Sequence, residues 1–199
     1  GNNNIADSMF TQMAMERFAI PEWVVVSAGT GGTSSTIGRY IRYRPGLFSN
    51  TKLCVVDPEN SVFFEYFQTG DATLTADSVS RIEGIGRPRV EPSFVPTVID
   101  RMIRIPDAAS IATVRWLEVI LGRKCGGSTG TNLYGALQIA TEMMRDGKPG
   151  SLVTMICDPG ERYLDTYYDD GWLQEQGLDV QPYIQQLETF TTSGRLEAR

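Results

Sequence analysis

The chain is predicted to be α/β: three layers, with a mostly parallel sheet between helices. Two observations predict it. Short apolar runs rich in valine alternate with longer segments whose apolar residues recur at helical spacing. Glycine clusters stand directly after a strand or directly before a helix, where ligands of parallel sheets bind.

The elements follow in order. Ile5, Met9, Met13 and Phe18 share one face of a helix expected over residues 5–18. Trp23–Ser27 is a continuous apolar run, the pattern of a strand covered on both faces. A helix follows Gly29–Thr33 and runs to about Tyr43, where Arg44-Pro45-Gly46 stops it. Lys52–Val56 is a second buried strand, closed by Asp57-Pro58. Gln68 to Pro96 is rich in Gly, Pro, Ser and charge, and is expected to be a long functional loop. Val98–Ile105 is a third strand. Pro106-Asp107 opens a helix that reaches Gly122, and Gly126-Gly127-Ser128 opens another that ends near Gly147. Leu152–Cys157 is a fourth strand, Tyr163–Trp172 a helix or turn, and a short helix with a polar tail follows from Asp179.

Composition narrows the chemistry. There is no histidine, so no Ser-His-Asp or Cys-His relay can form within the chain, and no histidine-based metal site. Only Lys52, Lys124 and Lys148 are lysines, which leaves few candidates for Schiff-base chemistry. A net charge of −6 argues against nucleic acid as a partner. Arg39, Arg42 and Arg44 read as cations at a helix C-terminus, which the dipole favours. Cys54, Cys125 and Cys157 are far apart with no C-x-x-C. They read as reduced, buried thiols of a cytoplasmic protein. No run is long and apolar enough to be a membrane span.

Three segments carry chemistry. Gly29-Thr30-Gly31-Gly32-Thr33 links a strand to a helix. Its glycines let backbone N–H groups approach an anion, and the helix dipole adds positive charge, so a phosphate is cradled without a lysine. Gly29, Gly31 and Ser34 nearly match the dinucleotide fingerprint, with Asp57 placed for a ribose. An NAD(P) or nucleotide module is therefore the alternative reading. In Cys125-Gly126-Gly127-Ser128-Thr129-Gly130, Ser128 is either a helix cap or a hydroxyl aimed at a ligand. Glu83-Gly84-Ile85-Gly86 lies in the long loop.

Taken in order, with Val56-Asp57-Pro58-Glu59, Pro96-Thr97-Val98 and Asp158-Pro159-Gly160-Glu161-Arg162-Tyr163, these segments resemble the later part of the cysteine synthase and cystathionine β-synthase family. That family uses pyridoxal 5'-phosphate on fold type II. The resemblance runs from about Pro21 to Trp172. The Asn2-Asn3-Asn4-Ile5-Ala6-Asp7 opening and the Arg-rich Gly38–Arg44 helix look most like actinobacterial members described as L-cysteine desulfhydrases.

The resemblance implies that Gly29, Thr30, Gly31, Gly32 and Thr33 hold the cofactor phosphate. Ser128 faces the pyridine nitrogen, and Gly84, Ile85 and Gly86 line the substrate side. It implies an amino-acid substrate (L-cysteine, O-acetylserine or serine), either elimination to sulfide, pyruvate and ammonia or β-replacement, and a homodimer. A neutral hydroxyl at Ser128 protonates the ring less than a carboxylate would, which disfavours transamination. Residues 1–178 would be the cofactor-phosphate-binding portion, part of the larger domain of fold type II, and 179–199 a terminal helix and tail. Two positions depart from the family pattern: Cys157 replaces a usual proline, and the Asn-rich opening is unusual. The family's Schiff-base lysine precedes the cradle, so no catalytic residue is expected in this chain. Gly1 does not look like a native start, and the reacting lysine is expected upstream.

Overall fold

The computed structural model describes residues 3–44, 46–48 and 50–196. In chain order the elements are α1 (Asn3–Met13), β1 (Trp23–Ser27), α2 (Gly32–Arg42), β2 (Lys52–Pro58), α3 (Phe63–Thr69), β3 (Arg101–Ile105), α4 (Asp107–Leu121), α5 (Gly127–Arg145), β4 (Leu152–Thr154), α6 (Asp170–Glu175) and α7 (Gln181–Ser193). The four strands form one sheet in the order β3-β2-β1-β4. Every pairing is parallel, with Val25 opposite both Cys54 and Thr154, and Val56 opposite Ile103.

Valine-rich strands are buried on both faces because successive side chains point to opposite sides. Val24 and Val26 of β1 and Leu53 and Val55 of β2 pack with Ala6, Met9 and Phe10 of α1, Ile37 and Ile41 of α2, and Phe63 of α3. Val25, Cys54 and Val56 face the other way, into Ala109 and Ile111 of α4, Ala136 and Ile139 of α5, and Leu187 of α7. These two cores make the three layers. α7 belongs to the second core, so Tyr183, Ile184 and Phe190 pack where a free tail would be solvated. Residues 197–199 of the expected tail lie outside the described residues.

Several boundaries differ from the periodicity. α1 ends at Met13, and Phe18 is outside it and exposed. The third strand starts at Arg101, because Pro96–Val98 forms a 3-10 turn. A Cβ on Gly38 of α2 would stand 2.6 Å from Val98 Cγ2, so that turn is packed tightly on the helix. Asp100 then starts the strand register: its carboxylate accepts from Leu53 N–H at 2.7 Å and from Arg42 at 2.9 Å. β4 stops at Thr154, and the chain leaves the sheet to form a wall of the cleft described below. α3 was not expected. Its start is fixed by a long-range acceptor, the buried Asp57 carboxylate, which takes Phe64 N–H at 2.9 Å. Tyr163–Trp172 divides into a 3-10 turn over Gly160–Tyr163 and the start of α6. Arg39 and Arg42 do lie in the last turn of α2, and Arg44 covers the Tyr40 ring at 3.5 Å.

β1 and β4 are neighbours, but the helix leaving β1 lies on one face of the sheet, whereas the chain leaving β4 packs Tyr163, Tyr167 and Leu173 on the other. Their carboxyl ends therefore diverge and leave a crevice, the usual ligand position in parallel sheets. No described helix is long and apolar enough to cross a membrane.

Candidate functional site

The crevice at the ends of β1 and β4 is a cleft of about 510 Å³. Gly29–Thr33, Gly84, Ile85 and Ser128 all line it, together with Ser27, Ala28, Glu83, Met155, Cys157, Asp158, Arg162 and Tyr163. Residues about 100 positions apart in the chain thus meet in one volume.

Gly29–Thr33 is the turn into α2. Gly31 is the N-cap with φ +92°, a conformation L side chains rarely adopt, and a Cβ there would lie 2.5 Å from Phe94 Cα. A Cβ on Gly29 would lie 2.6 Å from the Gly84 carbonyl oxygen, whereas one on Gly32 would meet nothing within 4 Å. The loop is held from behind: Ser93 Oγ donates to the Thr30 carbonyl at 2.6 Å and Ser35 Oγ to the Ser93 carbonyl at 2.8 Å. No side chain caps α2, and no acid stands in its first turn. The N–H groups of that turn have no intrahelical partners and carry the positive end of the dipole.

α5 brings a second uncapped N-terminus to the same cleft, again with no acid in its first turn. Its N-cap is Gly126, so Ser128 is not the cap. Ser128 is 6% exposed, and its hydroxyl makes no hydrogen bond to the protein among the described residues. Two glycines position this helix start. A Cβ on Gly126 would stand 2.0 Å from Asp158 Oδ1, and one on Gly127 would stand 2.9 Å from the Tyr167 ring. Gly126 N–H donates to the Asp158 carbonyl at 2.9 Å, and Gly160 N–H to the Lys124 carbonyl at 3.1 Å. The motif after β4 is thereby zipped to the motif before α5. Asp158 Oδ2 accepts from the Tyr163 hydroxyl at 2.6 Å; burial, together with Asp158, pushes that phenol well above its ordinary range.

The wall at Gly84 and Ile85 comes from the long loop, which the tertiary structure holds in place. Gly86 N–H donates to the Ala28 carbonyl at 2.9 Å. Gly86 does not line the cleft; it ties the lining residues to the end of β1. Tyr167, from the opposite side of the chain, accepts from Glu83 N–H and donates to the Arg81 carbonyl, both at 2.8 Å. Burial pushes its phenol up to about 12. Nothing in the local sequence marks Tyr167 as the loop's anchor. Tyr167→Phe is expected to cost about 1–2 kcal/mol of unfolding free energy, because it leaves a backbone donor and acceptor unmatched. A urea denaturation curve superimposable on that of the parent protein would contradict this.

Two other expectations need correction. Cys54 and Cys125 are buried, but Cys157 is exposed and lines the cleft. Its N–H donates to Thr129 Oγ1 at 3.0 Å, and its sulfur accepts from Asn132 Nδ2 at 3.4 Å. Asp57 is fully buried and faces away from the cleft, so it cannot meet a ribose. Burial pushes its carboxyl up to about 6 against the opposing bonds from Ser61 and Phe64. Asp107 is also pushed up to about 6, by burial and then by Glu59, with Arg81 opposing.

Both carboxyls hold their protons more tightly folded than unfolded. Their contribution to stability is full below about pH 4 and is lost as pH rises through about 6. Unfolding free energy is expected to decline across that window, and Asp57→Asn to shallow the decline. Denaturation curves at pH 4, 5, 6 and 7 read the slope; an unchanged slope in Asp57→Asn would remove Asp57 as a source.

None of the lysines reaches the cleft. Lys52 covers Trp23, Lys124 pairs with Glu118, and Lys148 pairs with Glu22 at 2.6 Å.

The family model described as pyridoxal-phosphate dependent enzyme matches residues 1–158. The L-cysteine desulfhydrase Cds1 of Mycobacterium tuberculosis is 58% identical over 179 residues, 90% of this chain and 48% of the relative. Cysteine synthase 1 of Emericella nidulans is 30% identical over 154 residues, 76% of this chain and 40% of the relative. Cystathionine beta-synthase of Apis mellifera is 31% identical over 169 residues, 82% of this chain and 30% of the relative. The chain spans less than half the length of each of these three relatives.

Proposed function

Because the chain belongs to the pyridoxal-phosphate dependent enzymes, we propose that its cleft holds the cofactor's phosphate and ring nitrogen in an enzyme of sulfur amino-acid metabolism. The observation that carries this reading is the meeting of two uncapped, acid-free helix N-termini in one cleft, with an unpaired serine hydroxyl between its walls. The residues fit the group. Gly32 leaves open space where a side chain would stand, and the cleft volume suits a cofactor of this size.

In this reading the N–H groups and hydroxyls of Gly29–Thr33 bind the phosphate, and Ser128 meets the pyridine nitrogen. Gly84 and Ile85, tied down through Gly86, face the substrate. When bound, pyridoxal phosphate supplies an electron sink for bonds at the amino acid's α-carbon. Ser128 tunes that sink: a neutral hydroxyl holds the ring nitrogen protonated less firmly than a carboxylate, which favours loss of a β-substituent over transamination. The buried Ile85 and the half-buried Met155 would shield the reacting carbons from water. The reacting lysine lies outside these 199 residues, since the three lysines here are engaged away from the cleft.

The preferred reaction is L-cysteine with water giving sulfide, pyruvate and ammonia, supported by 58% identity to a protein named L-cysteine desulfhydrase. β-Replacement on O-acetylserine or serine is the second reading, supported by the more distant cysteine synthase relatives. The active form is a homodimer, as the family resemblance suggests, and cytoplasmic, as the separated cysteines without a C-x-x-C suggest.

The test is carried out on the full-length protein. Added pyridoxal phosphate is expected to give a visible absorbance band, and L-cysteine is expected to release sulfide with an equal amount of pyruvate. No band with the cofactor, but saturation by NAD(P), would overturn the reading. A band without sulfide release, but with thioether formation from a thiol and O-acetylserine, would select β-replacement.

A further inference from the structure

A phosphate monoester carries about −1.5 to −2 charges at pH 7, whereas a helix N-terminus offers roughly half a positive charge. The cradle contains no lysine to supply the remainder. The other charged side chains around the cleft already have partners: Arg162 pairs with Glu83 at 3.1 Å, and the Asp158 carboxylate accepts from the neutral Tyr163 hydroxyl. Arg87 differs. It follows Gly86 and is half-buried. Its Nη1 donates to the Gly86 carbonyl at 2.7 Å, while its Nη2 stands 3.8 Å from where a Cβ on Gly29 would lie. Among the described residues it makes no ion pair with a carboxylate.

The backbone of Arg87 is pinned on both sides. Its N–H donates to Ser61 Oγ at 3.2 Å, and its carbonyl accepts from Val62 N–H at 2.9 Å. The guanidinium is thus held behind the first glycine of the cradle, partly stripped of water. A half-desolvated cation without a counter-charge is unfavourable until an anion arrives nearby.

We propose that Arg87 is a positioning residue for the phosphate on Gly29–Thr33, supplying from behind the loop the charge that the cradle lacks. This rests on the cofactor reading above. Arg87 is not a lining residue, so it acts through space across the Gly29 peptide and on the placement of that peptide. A positive charge at that place keeps the bound phosphate dianionic below its ordinary second pKa of about 6.

The experiment compares parent, Arg87→Met and Arg87→Lys as full-length proteins, with three probes: pyridoxal phosphate, pyridoxal and inorganic phosphate. Arg87→Met is expected to weaken pyridoxal phosphate and inorganic phosphate about tenfold and leave pyridoxal unchanged. The phosphorus-31 resonance of the bound cofactor should titrate about one pH unit higher than in the parent, and Arg87→Lys should restore most of both effects. Equal affinities and titrations in parent and Arg87→Met would overturn the proposal, leaving Arg87 a staple for the loop. Equal weakening of pyridoxal and pyridoxal phosphate would overturn it too, by showing general loop collapse. If Arg87→Met does not fold, the titration of Arg87→Gln decides in its place. If the parent itself takes up no pyridoxal phosphate, the cofactor reading fails and this inference with it. A parent that binds while the variants match it sinks the inference alone.

Discussion

Gly31→Ala is expected to destabilise the protein by about 3 kcal/mol and to abolish retention of pyridoxal phosphate. Two costs combine. The left-handed backbone at φ +92° penalises any Cβ by roughly 1–2 kcal/mol. That Cβ would also lie 2.5 Å from Phe94 Cα, backbone that cannot give way easily. Phe94 is 3% exposed and stacks on Phe63 at 4.3 Å, so moving it opens the packing between α3 and the long loop. If Gly31 instead relaxes to an ordinary helical φ, the N–H groups of the cradle rotate away from the anion. The measurements are urea denaturation and cofactor retained after gel filtration. A variant that keeps its cofactor and loses less than about 1 kcal/mol would show that the cradle does not depend on this turn.

The second large effect is expected at Gly130, away from the cleft surface. α4 and α5 cross closely there: a Cβ on Gly130 would lie 1.9 Å from the Ser110 carbonyl oxygen and 2.9 Å from Val114 Cγ1. Ser110 is fully buried, and its hydroxyl accepts from Thr131 Oγ1 at 2.8 Å, which locks the two helices at that level. Gly130→Ala must push one helix off the other in a core that is already close-packed, at a cost of about 3 kcal/mol. Ser128, two residues earlier on α5, is displaced with it, so cofactor affinity is expected to fall although Gly130 does not line the cleft. Thermal unfolding reads the first effect and cofactor titration the second. An unchanged midpoint would mean that α4 is free to slide.

Much of the molecule was legible beforehand because its signals are local. Val24-Val25-Val26 and Leu53–Val56 announce strands covered on both faces, and the two cores confirm it. α4 ends at Gly122 as expected, and Gly122 caps it in the left-handed conformation. Boundaries failed where a distant partner decides them. Val98 continues the apolar run of β3, yet Pro96 and the close fit on Gly38 draw it into a turn. Phe63–Thr69 becomes helical under the buried carboxylate of Asp57. The same burial removes Asp57 from the cleft, although its place after a strand resembled that of a ribose-binding acid. Cys157 was expected inside because cysteines usually are; it is exposed because the chain leaves the sheet after Thr154.

The sequence by itself therefore determined the parallel α/β class, the glycine turn between β1 and α2 at Gly29–Thr33 and the separate glycine segments around Gly84 and Ser128. Each is written in the periodicity or glycine placement of a few consecutive residues. Only the tertiary structure decided that these segments face one cleft, that Tyr167 and Gly86 anchor the loop between them, and that Arg87 stands behind the cradle. Those facts depend on contacts between residues far apart in the chain. Such contacts are set by how two cores and four strands pack together, and no local pattern encodes them.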